Sequence, residues 1–262
     1  MLKYYYNKKT MDQTSLYGQQ DFSLPHDVVR LPSKGIYYTP RRESIKVGFL
    51  TANDENILMS QNNSKEGIIY TLLKQKIYEP NFNVDHLLDV DVSAILIFLR
   101  NTAFGPEYSY TLKDPATDKT FDITIILDEL KYIDSPHTAD NEGYFTTKLP
   151  KSDKSIKVKL LNWGEMKEVD KMVEKYPKGM IAPVVTKKLE QQIVEIDGNK
   201  DKGQISNFIK NMPIMDSKYV RKFIQECEPS IDLKQEVIAP SGERVTFSVT
   251  FGVDFFRPFF SV

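Results

Sequence analysis

Catalysis or cofactor binding needs acids, bases, nucleophiles or metal ligands at workable spacing. One acidic group, Asp85, Asp89 and Asp91, lies just ahead of an apolar run, and three such carboxylates could hold a divalent cation. A calcium loop would also need a glycine bend and a terminal glutamate, which this stretch lacks. Helix-start chemistry explains the group better, with Asp89 and Asp91 as N-cap candidates for the run that follows. The three histidines, His26, His86 and His137, have no carboxylate or second histidine at metal-ligand spacing. No Gly-x-Ser-x-Gly, P-loop or Rossmann glycine pattern is present. Asp114 and Asp118 flank a turn, where acids are routine. The single cysteine, Cys227, excludes an intrachain disulfide and a cysteine-rich metal site, and its helical surroundings read as a buried thiol. Arg100 is either a buried ion-pair partner or, more commonly for such a residue, one that snorkels outward. The expectation is a protein without catalytic residues, cofactor or bound metal. A metal-dependent, nuclease-like enzyme using Asp85, Asp89 and Asp91 is the rival from another class.

Aromatic residues are the more telling set. Residues 251–260 hold five phenylalanines and an arginine. Aromatics and arginine dominate protein interfaces. Phe255, Phe256, Arg257, Pro258, Phe259 and Phe260 are therefore expected to form a docking peptide for a partner. In the competing arrangement Phe255 and Phe256 fold back as core and only Phe259 and Phe260 remain free. Tyr4, Tyr5 and Tyr6 are a second candidate contact, in an N-terminal stretch without periodicity.

The elements that carry these residues start from the most apolar run, Val92 to Arg100. Its six consecutive apolar residues, Ala94 to Leu99, leave no polar face, so a helix here is buried on most sides. Gly105-Pro106 ends it. Alternating runs, Glu107 to Leu112 and Thr120 to Ile126, flank a Pro/Asp turn and read as a β-hairpin. The unit recurs near the C-terminus: Asp216 as cap, Tyr219 to Ile224 as helix, then Ile231 to Ile238, the turn Ala239-Pro240-Ser241-Gly242, and Val245 to Val249. One offset lays Asp91 over Asp216, Ile95 over Val220, Phe98 over Phe223, Leu99 over Ile224 and Pro115 over Pro240. The second helix carries more charge and is expected nearer the surface.

Elsewhere, Ser44 to Leu50 and Ser155 to Leu161 read as strands. Thr51 to Asp54 resembles a capping box for a short helix. Ser64 caps another, whose inner face is Ile68, Leu72, Leu73 and Ile77. Glu165 to Tyr176 is an amphipathic helix and Lys202 to Met212 a short one. Val184 to Ile196 is helical, with its end, Ile193 to Ile196, open to being a strand. Residues 134–148 read as a polar loop. The fold class is α+β, with two related helix plus β-hairpin units and additional amphipathic helices. The expected division is an extension over 1–30, an N-terminal region over 31–150 and a C-terminal region over 151–262.

With 262 residues, 40% hydrophobic and 27% charged, the chain has the composition of a soluble globular protein. A formal net charge of −1 gives no global field for nucleic acid or an anionic membrane. No apolar stretch approaches the roughly 18 residues of a membrane span. The lysine-bearing N-terminus lacks an apolar signal core, so the expected compartment is the cytoplasm.

The ordered motifs Leu31-Pro32-Ser33-Lys34-Gly35, Leu50 through Leu58, and Leu87-Leu88 through Asp91 to Leu99-Arg100 resemble the baseplate proteins of T4-like contractile-tailed phages. The similarity continues through Ile196-Asp197-Gly198, Phe208-Ile209 to Met212-Pro213, and Phe255-Phe256-Arg257-Pro258, and is strongest to the hub and hub-assembly members of that family. The resemblance implies a non-enzymatic role in building a phage tail, with a generic adaptor of another large complex as the main rival. The partners would be other tail and baseplate proteins, with no small-molecule substrate, nucleic acid or membrane. The implied location is the host cytoplasm during assembly, or the virion baseplate. Members of the family often carry Cys-Pro-x-Cys at the hairpin turns, in the manner of zinc ribbons. Here those turns are Asp114-Pro115-Ala116-Thr117 and Ala239-Pro240-Ser241-Gly242. The thiols are absent, so turn residues and packing must hold the hairpins.

Overall fold

The computed structural model describes residues 25–59, 65–177, 181–251 and 253–256. Strands β1 (His26–Arg30) and β2 (Ser44–Gly48) pair antiparallel with Arg30 opposite Ser44. β1 lies inside the stretch expected to be an extension. Helix α1 (Ala52–Leu58) starts at the expected capping box, with Thr51 N–H donating to the Asp54 carboxylate at 2.7 Å. Asp54 also pairs with Lys76, the last residue of α2 (Lys65–Lys76), and both side chains are buried. Lys76 Nζ donates to the Phe49 carbonyl at 3.0 Å, so the buried ammonium is hydrogen-bonded as well as paired. Ile77 then bridges to Val47 of β2. Ser64, the expected cap of α2, lies outside the described residues.

Helix α3 (Asp89–Phe104) is the buried helix that the apolar run demands: Val90 through Ile97, Leu99 and Arg100 are all inaccessible. Its N-cap is Leu88 and not an aspartate. Asp89 and Asp91 occupy the first turn instead, where a carboxylate suits the positive end of the helix dipole. Gly105 stops the helix with φ of 82°, a backbone region that glycine enters without steric penalty, and its N–H closes on Asn101 O at 2.9 Å. The hairpin β3 (Glu107–Lys113) and β4 (Thr120–Ile126) follows, with Lys113 opposite Thr120.

A short connection with β5 (Tyr132–Ile133) leads to β6 (Phe145–Lys148) and β7 (Ser155–Val158), paired with Lys148 opposite Ser155. Next come α4 (Trp163–Glu174), α5 (Val184–Gln192) and β8 (Ile193–Ile196), the last pairing with β7. The chain continues through α6 (Lys202–Asn211), α7 (Ile214–Cys227), β9 (Ser230–Ile231), β10 (Lys234–Ile238) and β11 (Arg244–Ser248). β9 pairs with β5, and β10 with β11. The fold is α+β, built among the described residues of helices and five small antiparallel sheets. β6 corrects the expected polar loop, and residue 150 falls in the β6–β7 turn.

The correspondence between the two halves reaches well beyond the helix–hairpin unit. Leu31-Pro32 and Leu149-Pro150 begin equivalent turns: Leu31 N–H donates to Glu43 O at 2.9 Å and Leu149 N–H to Lys154 O at 2.8 Å. Ser44-Ile45-Lys46-Val47 of β2 recurs as Ser155-Ile156-Lys157-Val158 of β7, in the same register against the preceding strand. A capping box opens the next helix in each half, at Thr51 and at Asn162. The isolated Val47–Ile77 bridge has its counterpart in the Val158–Ile193 pair. Asp91 and Asp216 are both third in their helices, fully buried, and bonded to the equivalent turns. Asp91 accepts from Ser33 N–H at 3.0 Å, and Asp216 from Lys151 and Ser152 N–H at 2.7 and 3.0 Å. Asp216 therefore secures a turn and does not cap: the N-cap is Pro213. As its charge implies, α7 buries one face only, with Val220, Phe223, Ile224 and Cys227 inward. One continuous apolar core joins the halves.

Candidate functional site

At the end of α3, Arg100 is only 1% exposed, so it does not snorkel. Its guanidinium donates to the carbonyls of Gly105 and Glu107 at 3.0 and 3.1 Å, closing the end of α3 onto the start of β3. Its charge lies over the rings of Tyr108, Phe104 and Phe255 at 4.9, 5.5 and 5.7 Å from their centroids. Phe255 in turn packs on Tyr108 at 5.0 Å, Phe251 at 5.1 Å and Phe256 at 5.3 Å. Phe255 and Phe256 are thus part of this chain's own core, which corrects the expectation that they face a partner. Two large apolar rings gain more from an aromatic pocket already lined by α3 and β3 than from water. Arg257, Pro258, Phe259, Phe260, Tyr4, Tyr5 and Tyr6 lie outside the described residues.

The two proline turns meet. Asp114, at the tip of the β3–β4 hairpin, accepts from the Ser241 hydroxyl at 2.7 Å and from Ser241 N–H at 3.0 Å in the β10–β11 turn. It also accepts from Ala116 N–H at 3.0 Å in its own turn. Burial pushes the Asp114 carboxyl upward, but these donors outweigh that effect and hold it below the usual carboxylate range. Further along, Tyr110 packs on Phe247 at 5.0 Å between their centroids. A hydrogen-bonded clamp and an aromatic contact join the hairpins where the resemblance raised the question of thiols.

The structure does not gather the three candidate aspartates. Asp91 is committed to Ser33 N–H and the Tyr38 hydroxyl, and burial raises its carboxyl above the usual range. Asp85 faces the Tyr70 hydroxyl at 3.3 Å and Lys167 at 3.5 Å. Asp89 lines a separate cavity with Trp163 and Phe251. Among the described residues no group of three or more His, Cys, Asp or Glu is placed to hold a metal ion. Cys227 is buried as expected, and burial pushes its thiol up to about 12. His137 sits 3.4 Å from Glu226, with its ring against Phe223. His26 packs edge-on to Tyr78. His86 lines a polar cleft beside Tyr38.

Several apolar side chains are open to solvent. Ile181 is 95% exposed and Ile214 is 87% exposed, with Met215 exposed next to Ile214. A groove of about 620 Å³ runs between β1 and α3, walled by Val28, Leu31, Ala94, Ile97, Phe98 and Tyr132. Sequence periodicity could not find it, because its walls lie far apart in the chain. No described helix is long and apolar enough to cross a membrane.

No curated protein and no solved structure matches the chain. The profile of one family, described as T4 bacteriophage base plate protein, matches residues 27–257, from β1 through the packed phenylalanines. That span takes in both halves of the repeat and the aromatic cage around Arg100, and the chain belongs to the T4 bacteriophage base plate protein family.

Proposed function

We propose that this baseplate protein works without catalysis, through contacts with other tail proteins, either as a hub component or as a factor that helps the hub assemble. The family match over both halves carries the reading. The dispersed aspartates, of which Asp85 and Asp91 are engaged by other side chains or backbone, and the exposed apolar side chains support it. Tyr4 to Tyr6 and Arg257 to Phe260 are the proposed partner contacts. Arg257 would anchor on a carboxylate or a backbone carbonyl, and Pro258 would hold an extended path. The protein would act in the host cytoplasm while tails form. Mass spectrometry of purified mature particles separates the two roles: a component is present in fixed stoichiometry, and an assembly factor is missing or far below it. Deleting Arg257 to Val262 tests the contacts. Incorporation or hub formation should fail, and normal tails from the truncated chain would overturn the assignment of those residues.

A further inference from the structure

The internal repeat says what belongs in the open groove between β1 and α3. In the second half, the stretch leading into β6 packs along α7. Ser135 Oγ donates to the Glu226 carbonyl at 3.2 Å, the His137 ring packs on Phe223 at 4.8 Å, and His137 Nε2 lies 3.4 Å from the Glu226 carboxylate. Under the matched positions of the two helices, Phe223 corresponds to Phe98 and Glu226 to Asn101. Phe98 and Asn101 both line the open groove in the first half. The matching face is crossed by a chain segment in the second half, whereas in the first it lines the groove, with Phe98 against the Phe49 ring at 5.9 Å and Asn101 Nδ2 donating to Asp128 at 2.5 Å.

The residues that should cover it can be counted. Leu31 and Leu149, which start equivalent turns, lie 118 positions apart, and the strands before them share one register against β2 and β7. Ser135 and His137 then correspond to Tyr17 and Gln19, ahead of the first described residue, Pro25. We infer that the segment around Leu16 to Gln19 of this chain docks in the groove between β1 and α3, as Ser135 to His137 docks on α7. The groove is shaped for something larger than its counterpart. Ala94 stands where the second half has Tyr219, whose hydroxyl meets Thr147 at 2.9 Å, and Val29 stands where it has Thr147. A wider, more apolar groove matches the exchange of Ser135 for Tyr17, with Leu16 beside it. Val28 and Tyr132, both more than half exposed on the groove walls, are the side chains this segment would cover.

Disulfide trapping in the full-length chain tests the assignment. Asn101→Cys is combined with a cysteine walk from Ser15→Cys to Gln19→Cys, and Lys8→Cys serves as the control. The native Cys227 is buried and stays out of the exchange. Because Ser135 lies against the Glu226 backbone, one or two adjacent positions near Tyr17 should form an intrachain bond at least about tenfold faster than the control, through a higher effective concentration. Thr102→Cys, exposed on the groove rim, is a second anchor should Asn101→Cys disturb α3. Trapping no faster than at Lys8→Cys from either anchor would overturn the proposal. Bonds found only between two chains would overturn it too, and would assign the groove to a second copy.

Discussion

Two buried aspartates, one in each half, do a job that no local pattern announces. Asp91 and Asp216 bind backbone N–H groups of turns that precede them by 58 and by 64 and 65 residues. Removing either carboxylate strands buried donors, so Asp91→Ala and Asp216→Ala should each lower stability by about 1–3 kcal/mol per group left unpaired. Denaturant unfolding of the two variants should show losses of similar size if the halves use them alike. Asp114 works between the halves. Its folded carboxyl is held below the usual range, so its contribution is present above the ordinary carboxylate value and is lost as pH falls through the lowered folded value. Asp114→Asn should therefore melt below the parent at neutral pH, and the gap should close on acidification. A gap that stays constant into the acid range would mean that the carboxylate charge is not what Ser241 binds.

At the level of elements, the strongest sequence signals matched the structure. The unbroken apolar run became the buried middle of α3, because a helical stretch with no polar face has nowhere else to go. The Thr51–Asp54 capping box forms, and Ile193–Ile196 is a strand. Short elements were hidden. β6, Phe-Thr-Thr-Lys, buries only its phenylalanine, and β1 buries only Val29, too little alternation to stand out from loop. The full repeat was nevertheless written in the shared Ser-Ile-Lys-Val and Leu-Pro, which unequal turn lengths between them obscure. Aromatic density signals burial, but not whose surface does the burying, and the Arg100 cage claimed Phe255. Phe255→Ala should cost about 3–5 kcal/mol, since it empties a packed ring site beneath a buried charge. Deleting Arg257 to Val262 should leave the melting temperature near that of the parent, and a comparable loss from both changes would place the tail in the core.

Across the whole molecule, a single core joins two similar halves, with hydrogen bonds and rings doing the work at the hairpin tips. The chain should therefore be indifferent to metal removal. Melting curves with and without a chelator should coincide, and elemental analysis should find no stoichiometric zinc. The position of Phe255 and Phe256 also sets an order of events. They are among the last described residues, yet they seal Tyr108 and Arg100, which are synthesised more than 140 residues earlier. Helices and hairpins of the first half can form on the ribosome as they emerge, but its aromatic pocket stays unsealed until Phe255 has been made. A product of premature termination keeps that pocket open and exposes the surfaces that chaperones and proteases bind.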